Sequence, residues 1–258
     1  MVRTVVTEAG LYRLTLWSWL ALSAVTFLVL LVKTAPYGRH QRGGWGPTMP
    51  SRWGWLLMES PAAIVMPALA VPYLLHDGFP QGWLLVALWE VHYLNRAFVY
   101  PFRIRAGATM PVVVALLAVF FNGVNGWLNG RGITLFGPEL GRVALIHPRV
   151  LAGVLLFVVG LLINWDADRR LLAMPRAADG GYTIPRGGLF ELVTSPNYFG
   201  ELLEWTGFAI AAGSFGALSF VVWTAANLVP RAIAHHRWYR AQFPEYPPER
   251  RAIIPFVW

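Results

Sequence analysis

The stretch YTIPRGGLFELVTSPNYFGELLEW, residues 182–205, decides how the chain is read. Its first half is a polar turn: Pro185 fixes φ, and Gly187-Gly188 lets the backbone approach a ligand closely. Its second half predicts a helix start, with Ser195 at the N-cap, Pro196 at the first helical position and apolar residues recurring beyond. On that helix Asn197, Glu201 and Glu204 follow at i, i+4 and i+7 and share one face. The helix runs on into TGFAIAAG, which is too apolar for open water. Carboxylates at the mouth of a membrane helix are expensive unless they bind something. The plainer alternative is a solvated first turn whose acids complement the helix dipole.

Composition places the rest of the chain in the same setting. Hydrophobic residues make up 56% and charged residues 13% of the 258, and the mean hydropathy is +0.49, outside the range of soluble domains. The 13 tryptophans supply anchors at a membrane interface. Cysteine is absent, which excludes a disulfide framework, a thiolate nucleophile and a cysteine metal site. The net charge of +8 is explained by positive-inside topology and by anionic lipid or cofactor phosphates, not by nucleic acid. Lys33 is the only lysine, and arginine suits bidentate phosphate contacts.

Apolar runs predict an all-α, polytopic membrane protein, one domain over residues 1–258 built as a single bundle of seven transmembrane helices. Residues 14–32 are an uncharged run, about 28 Å long as a helix, read as a retained first span and not a signal peptide. The other spans are 53–75, 83–102, 110–127, 150–165, 199–212 and 217–233. Pro61, Pro67 and Pro72 interrupt the second, as happens where a helix lines a cavity. The third carries Glu90, His92, Tyr93, Asn95 and Arg96 and is too polar to face lipid. NGRG and FGPELG between residues 128 and 149 read as turn material. No repeat and no dividing linker is evident.

Basic residues orient the bundle. Four follow the first span (Lys33, Arg39, Arg42, Arg52), two the third (Arg103, Arg105), four the fifth (Arg169, Arg170, Arg176, Arg186), and five lie in Arg231, Arg237, Arg240, Arg250 and Arg251. These fifteen oppose five on the other side, namely Arg3, Arg13, Arg131, Arg142 and Arg149. The C-terminus is therefore expected in the cytoplasm and the N-terminus outside.

Familiar cofactor signatures are missing: there is no G-x-G-x-x-G after a strand, no Walker loop and no H-E-x-x-H. His235 and His236 are adjacent, about 100° apart on a helix, so no metal site is expected. Asn164 and Asp168 stand at i, i+4, and Arg231, His235 and Tyr239 at i, i+4, i+8. Such sets offer arginines for phosphates, carboxylates for ribose hydroxyls and Asn for a carboxamide. For Asn164 with Asp168 the alternative is ordinary polarity at a helix end. Glu59 stands apart: a charged carboxyl inside an apolar span costs about 3 kcal/mol, so it should be protonated or paired. A neutral Glu beside the Tyr93 phenol makes a donor pair suited to a ketone oxygen. The alternatives are an ion pair between Glu59 and Arg96, and simple aromatic packing for Tyr93. His92 and Arg96 are read as braces of the bundle.

Four motifs carry a resemblance: residues 182–205, RAIAHHRWYRAQFPEYPPERRAIIPFVW (231–258), LLMESP (56–61) and VHYLNRAFVYPF (91–102). Together they resemble the steroid 5α-reductase family, from the second apolar segment to the C-terminus. Sterol reductases of the nuclear-envelope type and isoprenylcysteine methyltransferases carry related C-terminal motifs, and the Glu59 and Tyr93 motifs narrow the match. The resemblance implies an NADPH site at Asn164, Asp168, Tyr182, Asn197, Glu201, Arg231, His235, Tyr239 and Arg250. It sets Tyr93 and Glu59 against the 3-oxo group of a Δ4-3-ketosteroid. Residues 171–181, LLAMPRAADGG, depart from the family pattern and leave Arg176 unassigned.

The expected activity is NADPH-dependent reduction of the C4–C5 double bond of a 3-oxo-Δ4-steroid or related enone lipid. The expected partners are that lipid and the bilayer, without nucleic acid or metal, and the expected state is a monomer. Two other readings stay open: a membrane methyltransferase of the isoprenylcysteine type using S-adenosylmethionine, and a non-enzymatic carrier with Glu59, Glu90 and Arg96 along its path. Methyl transfer has no ketone to polarise, and no inverted repeat supports a carrier.

Overall fold

The computed structural model describes residues 2–104, 107–137, 145–175 and 181–257. α1 (Val2–Val32) contains no proline and turns Leu14, Trp17, Val25 and Leu28 outward, each more than half exposed. An apolar outer face suits lipid, not water. α2 (Ser51–Asp77) holds the three prolines. α3 (Pro80–Leu94) passes through a π-helical turn, Asn95–Val99, into the short α4 (Tyr100–Arg103). α5 (Val112–Thr134), α6 (Pro148–Ala173), α7 (Pro196–Ala212) and α8 (Phe215–Gln242) complete the helices. Five of them, α1, α2, α5, α6 and α8, are long and apolar enough to cross a membrane. The fold is thus all-α and polytopic, as predicted. α3 and α7, at 15 and 17 residues, are shorter than those five.

Helix ends differ from the expectation in an informative way. NGRG is not a turn: α5 continues through it to Thr134. Asn129 donates to the Asn125 carbonyl at 2.9 Å within the helix. Gly130 lies against Met66 and Leu69 of α2, and Gly132 against Tyr12 and Ser214. Those glycines serve close packing, which local turn statistics cannot distinguish from a bend. α6 and α8 likewise extend past 165 and 233, so their polar ends are helical. Arg105, Arg142 and Arg176, counted in the orientation argument, lie outside the described residues.

A short antiparallel clip, unforeseen in the sequence, joins Thr48–Pro50 (β1) to Thr109–Pro111 (β2). It ties the segment after α1 to the segment before α5. Near the prolines of α2, the Met58 carbonyl accepts from Asn122 at 2.7 Å and the Ala62 carbonyl from Trp89 at 2.9 Å. These bonds tie α2 to α5 and α3 along the stretch where proline weakens its ladder.

α6 and α7 share the most extensive packing in the chain. Gly153 and Gly160 on α6 face Gly207 and Gly200 on α7. A Cβ on Gly160 would stand 2.3 Å from the Glu204 nitrogen, and one on Gly200 2.6 Å from the Asn164 nitrogen. Small residues let helix backbones meet where no hydrophobic force separates protein from lipid. α8 closes on α1, where Trp223 donates to the Trp19 carbonyl at 2.9 Å and Trp19 to Asn125 at 3.1 Å.

Gly160→Ala should destabilise the protein by about 1–3 kcal/mol through overpacking. Gly123→Ala, in α5 where a Cβ meets nothing within 4 Å, should be neutral or slightly stabilising. Thermal unfolding of both variants in detergent checks the pair. Equal unfolding temperatures would remove the seam from the account.

Candidate active site

Two helices and one π turn build the first polar cluster. The α6–α7 seam brings Asn164 and Asp168 beside Asn197 and Glu201. Asn197 Nδ2 donates to Asp168 Oδ1 at 3.2 Å, and Asn164 Nδ2 to the Asn197 carbonyl at 3.0 Å. The π turn, a device frequent at functional sites, carries Arg96 into the same cluster. Its Nη1 lies 3.0 Å from Asp168 Oδ2, and its Nη2 3.9 Å from Glu201 Oε2. The longer separation is no hydrogen bond. Glu201 Oε2 is therefore buried without a hydrogen-bond partner. The guanidinium also lies over Trp55 and Tyr100, 4.7 Å from each ring centre.

A second cluster forms where α8 meets the segment after α1. Arg231 Nε donates to the Tyr198 hydroxyl at 3.0 Å and Nη2 to the Tyr37 carbonyl at 3.1 Å, with the charge 3.7 Å above the Tyr37 ring. Arg39 lies 4.5 Å from the Tyr239 ring centre and 5.2 Å from those of Tyr182 and Trp238. His40 stacks on His235 at 5.2 Å. Burial and then the charges of Arg231, Arg39 and Arg42 push His40 down to about 4, so it is neutral at physiological pH. Arg39 Nη1, His40 Nε2 and His235 Nε2 are all buried without hydrogen-bond partners. Buried polar atoms left this way demand an explanation, and a polar ligand is one. Tyr100 adjoins both clusters, within electrostatic reach of Asp168, Arg96, Tyr198 and Tyr37.

The quoted turn behaves differently from its reading. Gly187 and Gly188 have φ of 80° and 56°, and the protein group approaching them is Arg170: a Cβ on Gly187 would lie 2.5 Å from its Nη1. Pro196 does begin α7, but Ser195 makes no side-chain cap, and its Oγ is buried without a partner. Arg250 is 1% exposed: Nη1 donates to the Pro185 carbonyl at 2.9 Å and Nη2 to Glu191 at 3.1 Å, and its guanidinium lies over Tyr246, which stacks on Tyr239 of the second cluster. Tyr182 is half-exposed, edge-on to Trp238.

Glu59 and Tyr93 occupy the apolar end of the bundle. Tyr93 is 3% exposed, packed on Trp89 at 4.8 Å and Trp205 at 5.6 Å. Glu59 Oε2 accepts from Asn122 at 3.3 Å. Both lie within electrostatic reach of each other and of Arg96 and Glu201. The ion partners of Arg96 are Asp168 and Glu201, not Glu59. His92 Nδ1 is 2.8 Å from Glu204, which compensates that fully buried carboxylate. Among the described residues no group of three His, Asp or Glu could hold a metal.

Comparison with known proteins places this arrangement. Residues 108–258 match the profile of the 3-oxo-5-alpha-steroid 4-dehydrogenase family. A steroid 5-alpha-reductase of Gossypium hirsutum is 42% identical over 238 residues, covering 90% of this chain and 92% of its own. The 3-oxo-5-alpha-steroid 4-dehydrogenase 1 of Bos taurus is 37% identical over 92% of this chain and 93% of its own. The human counterpart is also 37% identical, over 86% and 85%. The chain belongs to the steroid 5α-reductase family. It is an enzyme, an oxidoreductase acting on CH–CH bonds, and the resemblance read from its motifs is borne out.

Within this family member the sequence reading missed Tyr37, Arg39, His40, Tyr100 and Tyr198 as neighbours of the predicted residues. A signal existed for the first three: YGRH, residues 37–40, sets an aromatic beside a guanidinium and an imidazole in an otherwise Gly/Pro-rich segment. Their partners on α8 are almost 200 positions away, so only the fold reveals the pairing.

The Gly187 N–H, and then Arg250, hold the Glu191 carboxyl below the ordinary value. Such a group contributes order above about pH 4.3, its usual value, and loses it as pH falls through its folded value. The protection of the amides of residues 187–193, relative to their intrinsic exchange at each pH, should therefore hold from pH 7 to about 4.5 and fall below that. Glu191→Gln should flatten this dependence. An unchanged pH profile in that variant would detach the loop from the Arg250–Glu191 contact.

Proposed function

We propose that this protein reduces the C4–C5 double bond of 3-oxo-Δ4-steroids with NADPH. The observation carrying the proposal is the set of buried, partnerless polar atoms, on Arg39, His40, His235 and Glu201, ringed by arginines and aromatics beside a buried Tyr93. The names of the relatives support the steroid. The donors fit a dinucleotide. Arg39 and Arg231 would hold phosphates, Asp168 and Glu201 ribose hydroxyls, and Asn197 with Asn164 the carboxamide. NADPH when bound supplies a hydride, here to C5.

Tyr93 and a protonated Glu59 donate to the oxygen at C3, where negative charge grows as the double bond is reduced. Oriented donors in a dry site are worth more than in water. Trp89, Trp205 and Phe208 around Tyr93 exclude that water. Asn122, donating to Glu59 Oε2, leaves Oε1 as the carboxyl oxygen free to carry the proton. C4 takes a proton in turn, which completes the reduction. Arg96 acts by holding Asp168 and Glu201 in place. We also propose seven crossings by a monomer without metal, with the C-terminus and the two polar clusters on the cytoplasmic side.

Tyr93→Phe should lower kcat about a hundredfold, the loss typical for one such donor, with NADPH affinity nearly unchanged. Glu59→Gln should be milder than Glu59→Ala, while Asn197→Ala and Glu201→Ala should weaken NADPH binding. Steady-state enone reduction and NADPH binding on monodisperse variants decide this. Full activity of Tyr93→Phe would overturn the donor role. Thermal shifts with NADPH and S-adenosylmethionine test the cofactor, and stabilisation by the latter alone would overturn the reductase reading.

Reporter fusions test the orientation. A reporter after residue 258 should report cytoplasm, and one within residues 135–147 the opposite side. The same side for both would break the seven-crossing topology.

A further inference from the structure

α8 presents a second basic surface that the proposed reaction does not use. Arg231, His235 and Tyr239 share one face of this helix. His236, Arg240 and Arg237 lie about 100°, 140° and 200° around the axis from His235 at 100° per residue. That other face, with the C-terminal segment folded against it, encloses a cavity of about 310 Å³ lined by His236, Arg237, Arg240, Arg250, Arg251 and Val257. No ion pair within 4.0 Å engages Arg237, Arg240 or Arg251 among the described residues. Arg250 has two of its nitrogens satisfied on the far side by Pro185 and Glu191, but its Nε is buried without a partner. His236 is held by Thr194, whose Oγ1 is 2.6 Å from Nδ1. Thr194 itself is fixed by Tyr246, 2.7 Å away.

The cavity is therefore a built one. A buried guanidinium forms part of its wall, a braced imidazole adjoins it, and three arginines line it without a carboxylate within ion-pair distance. Arg237, Arg240 and Arg251 are exposed, so solvent and salt screen their mutual repulsion, and an anion among them would lower it further. Beside the cavity, Phe256 has the only positive φ of any non-glycine residue described, 65°. The turn it makes leaves Phe256 and Val257 both exposed by more than 70%. Arginines beside exposed apolar side chains at the end of a membrane-crossing helix suit the headgroup layer, where the apolar groups enter lipid and the arginines meet phosphate.

We propose that this cavity binds a phosphate group, with an anionic phospholipid headgroup as the source that the exposed Phe256 and Val257 favour over free phosphate. The dinucleotide is proposed on the opposite face of α8, at Arg231, His235 and Tyr239, and this second site shares only Arg250 with the positions that the resemblance implies for NADPH.

The test is thermal unfolding of the full chain in detergent, titrated with inorganic phosphate, short-chain phosphatidylglycerol or short-chain phosphatidylcholine. Ionic strength is matched with chloride. Phosphatidylglycerol should raise the unfolding temperature well above the effect of phosphatidylcholine. Arg240→Gln with Arg251→Gln should weaken that response about tenfold or more, as for one or two lost charge-assisted hydrogen bonds. Stabilisation by phosphate alone, lost in the same variant, would support the site with free phosphate as its source. No stabilisation by phosphate or phosphatidylglycerol beyond the chloride and phosphatidylcholine controls would overturn the proposal. So would an undiminished response in the double variant. If that variant is not monodisperse on gel filtration, Arg237→Gln serves instead, and an unchanged affinity there counts equally against it.

Discussion

The backbone contact between α6 and α7 sets the geometry of the first polar cluster, on which the rest of the site is built. Gly153 and Gly160 meet Gly207 and Gly200 so closely that a methyl group at any of them would reach within about 2.7 Å of opposing backbone. In lipid, apolar helices gain little from merely being together, so close approach and hydrogen bonding hold them. The seam sets Asp168 opposite Asn197 and Asn164 beside the first turn of α7. Without that register, the carboxylates of two helices would face lipid or each other.

Charge within the bundle is arranged to offset its own desolvation. Arg96 faces two carboxylates and two aromatic rings, and Glu204, fully buried, faces His92. Breaking one partner of such a pair leaves an uncompensated charge, which costs far more than the pair contributes. The π turn is the local irregularity that carries Arg96 to the carboxylates of α6 and α7. Apart from these pairs, a smaller set of polar atoms has no protein partner at all. Three of them, on Arg39, His40 and His235, lie together, and that grouping is what supports the proposed binding site.

Distant segments close the site. The residues after α1 reach α8 through Tyr37, Arg39 and His40, and the β1–β2 clip anchors the far end of that segment to the strand before α5. Arg250 pins the turn before α7 by its contacts to Pro185 and Glu191. Those contacts brace the loop beneath a residue that the resemblance places among the cofactor positions. Aromatic rings fill the space between the polar levels, with Trp89, Trp205 and Phe220 in mutual contact at 4.6–5.3 Å.

Hydropathy and periodicity by themselves determined that the chain is helical and polytopic, because a span must satisfy its backbone internally and display apolar side chains. They also determined that Asn197 with Glu201, and Arg231 with His235 and Tyr239, share helix faces, since that follows from 3.6 residues per turn. Motif resemblance determined the family, which the comparisons bear out. Tertiary structure alone decided what those faces meet. NGRG reads as a turn until α2 is seen packed on Gly130, and the approach of Arg170 to Gly187-Gly188 shows only in the fold. Tyr37, Arg39 and His40 look like loop composition until α8 stands beside them. The physical reason is the same in each case. Helix geometry is local and periodic, whereas the approach of two backbones, and the burial of a charge between them, depends on residues that have no sequence relation to one another.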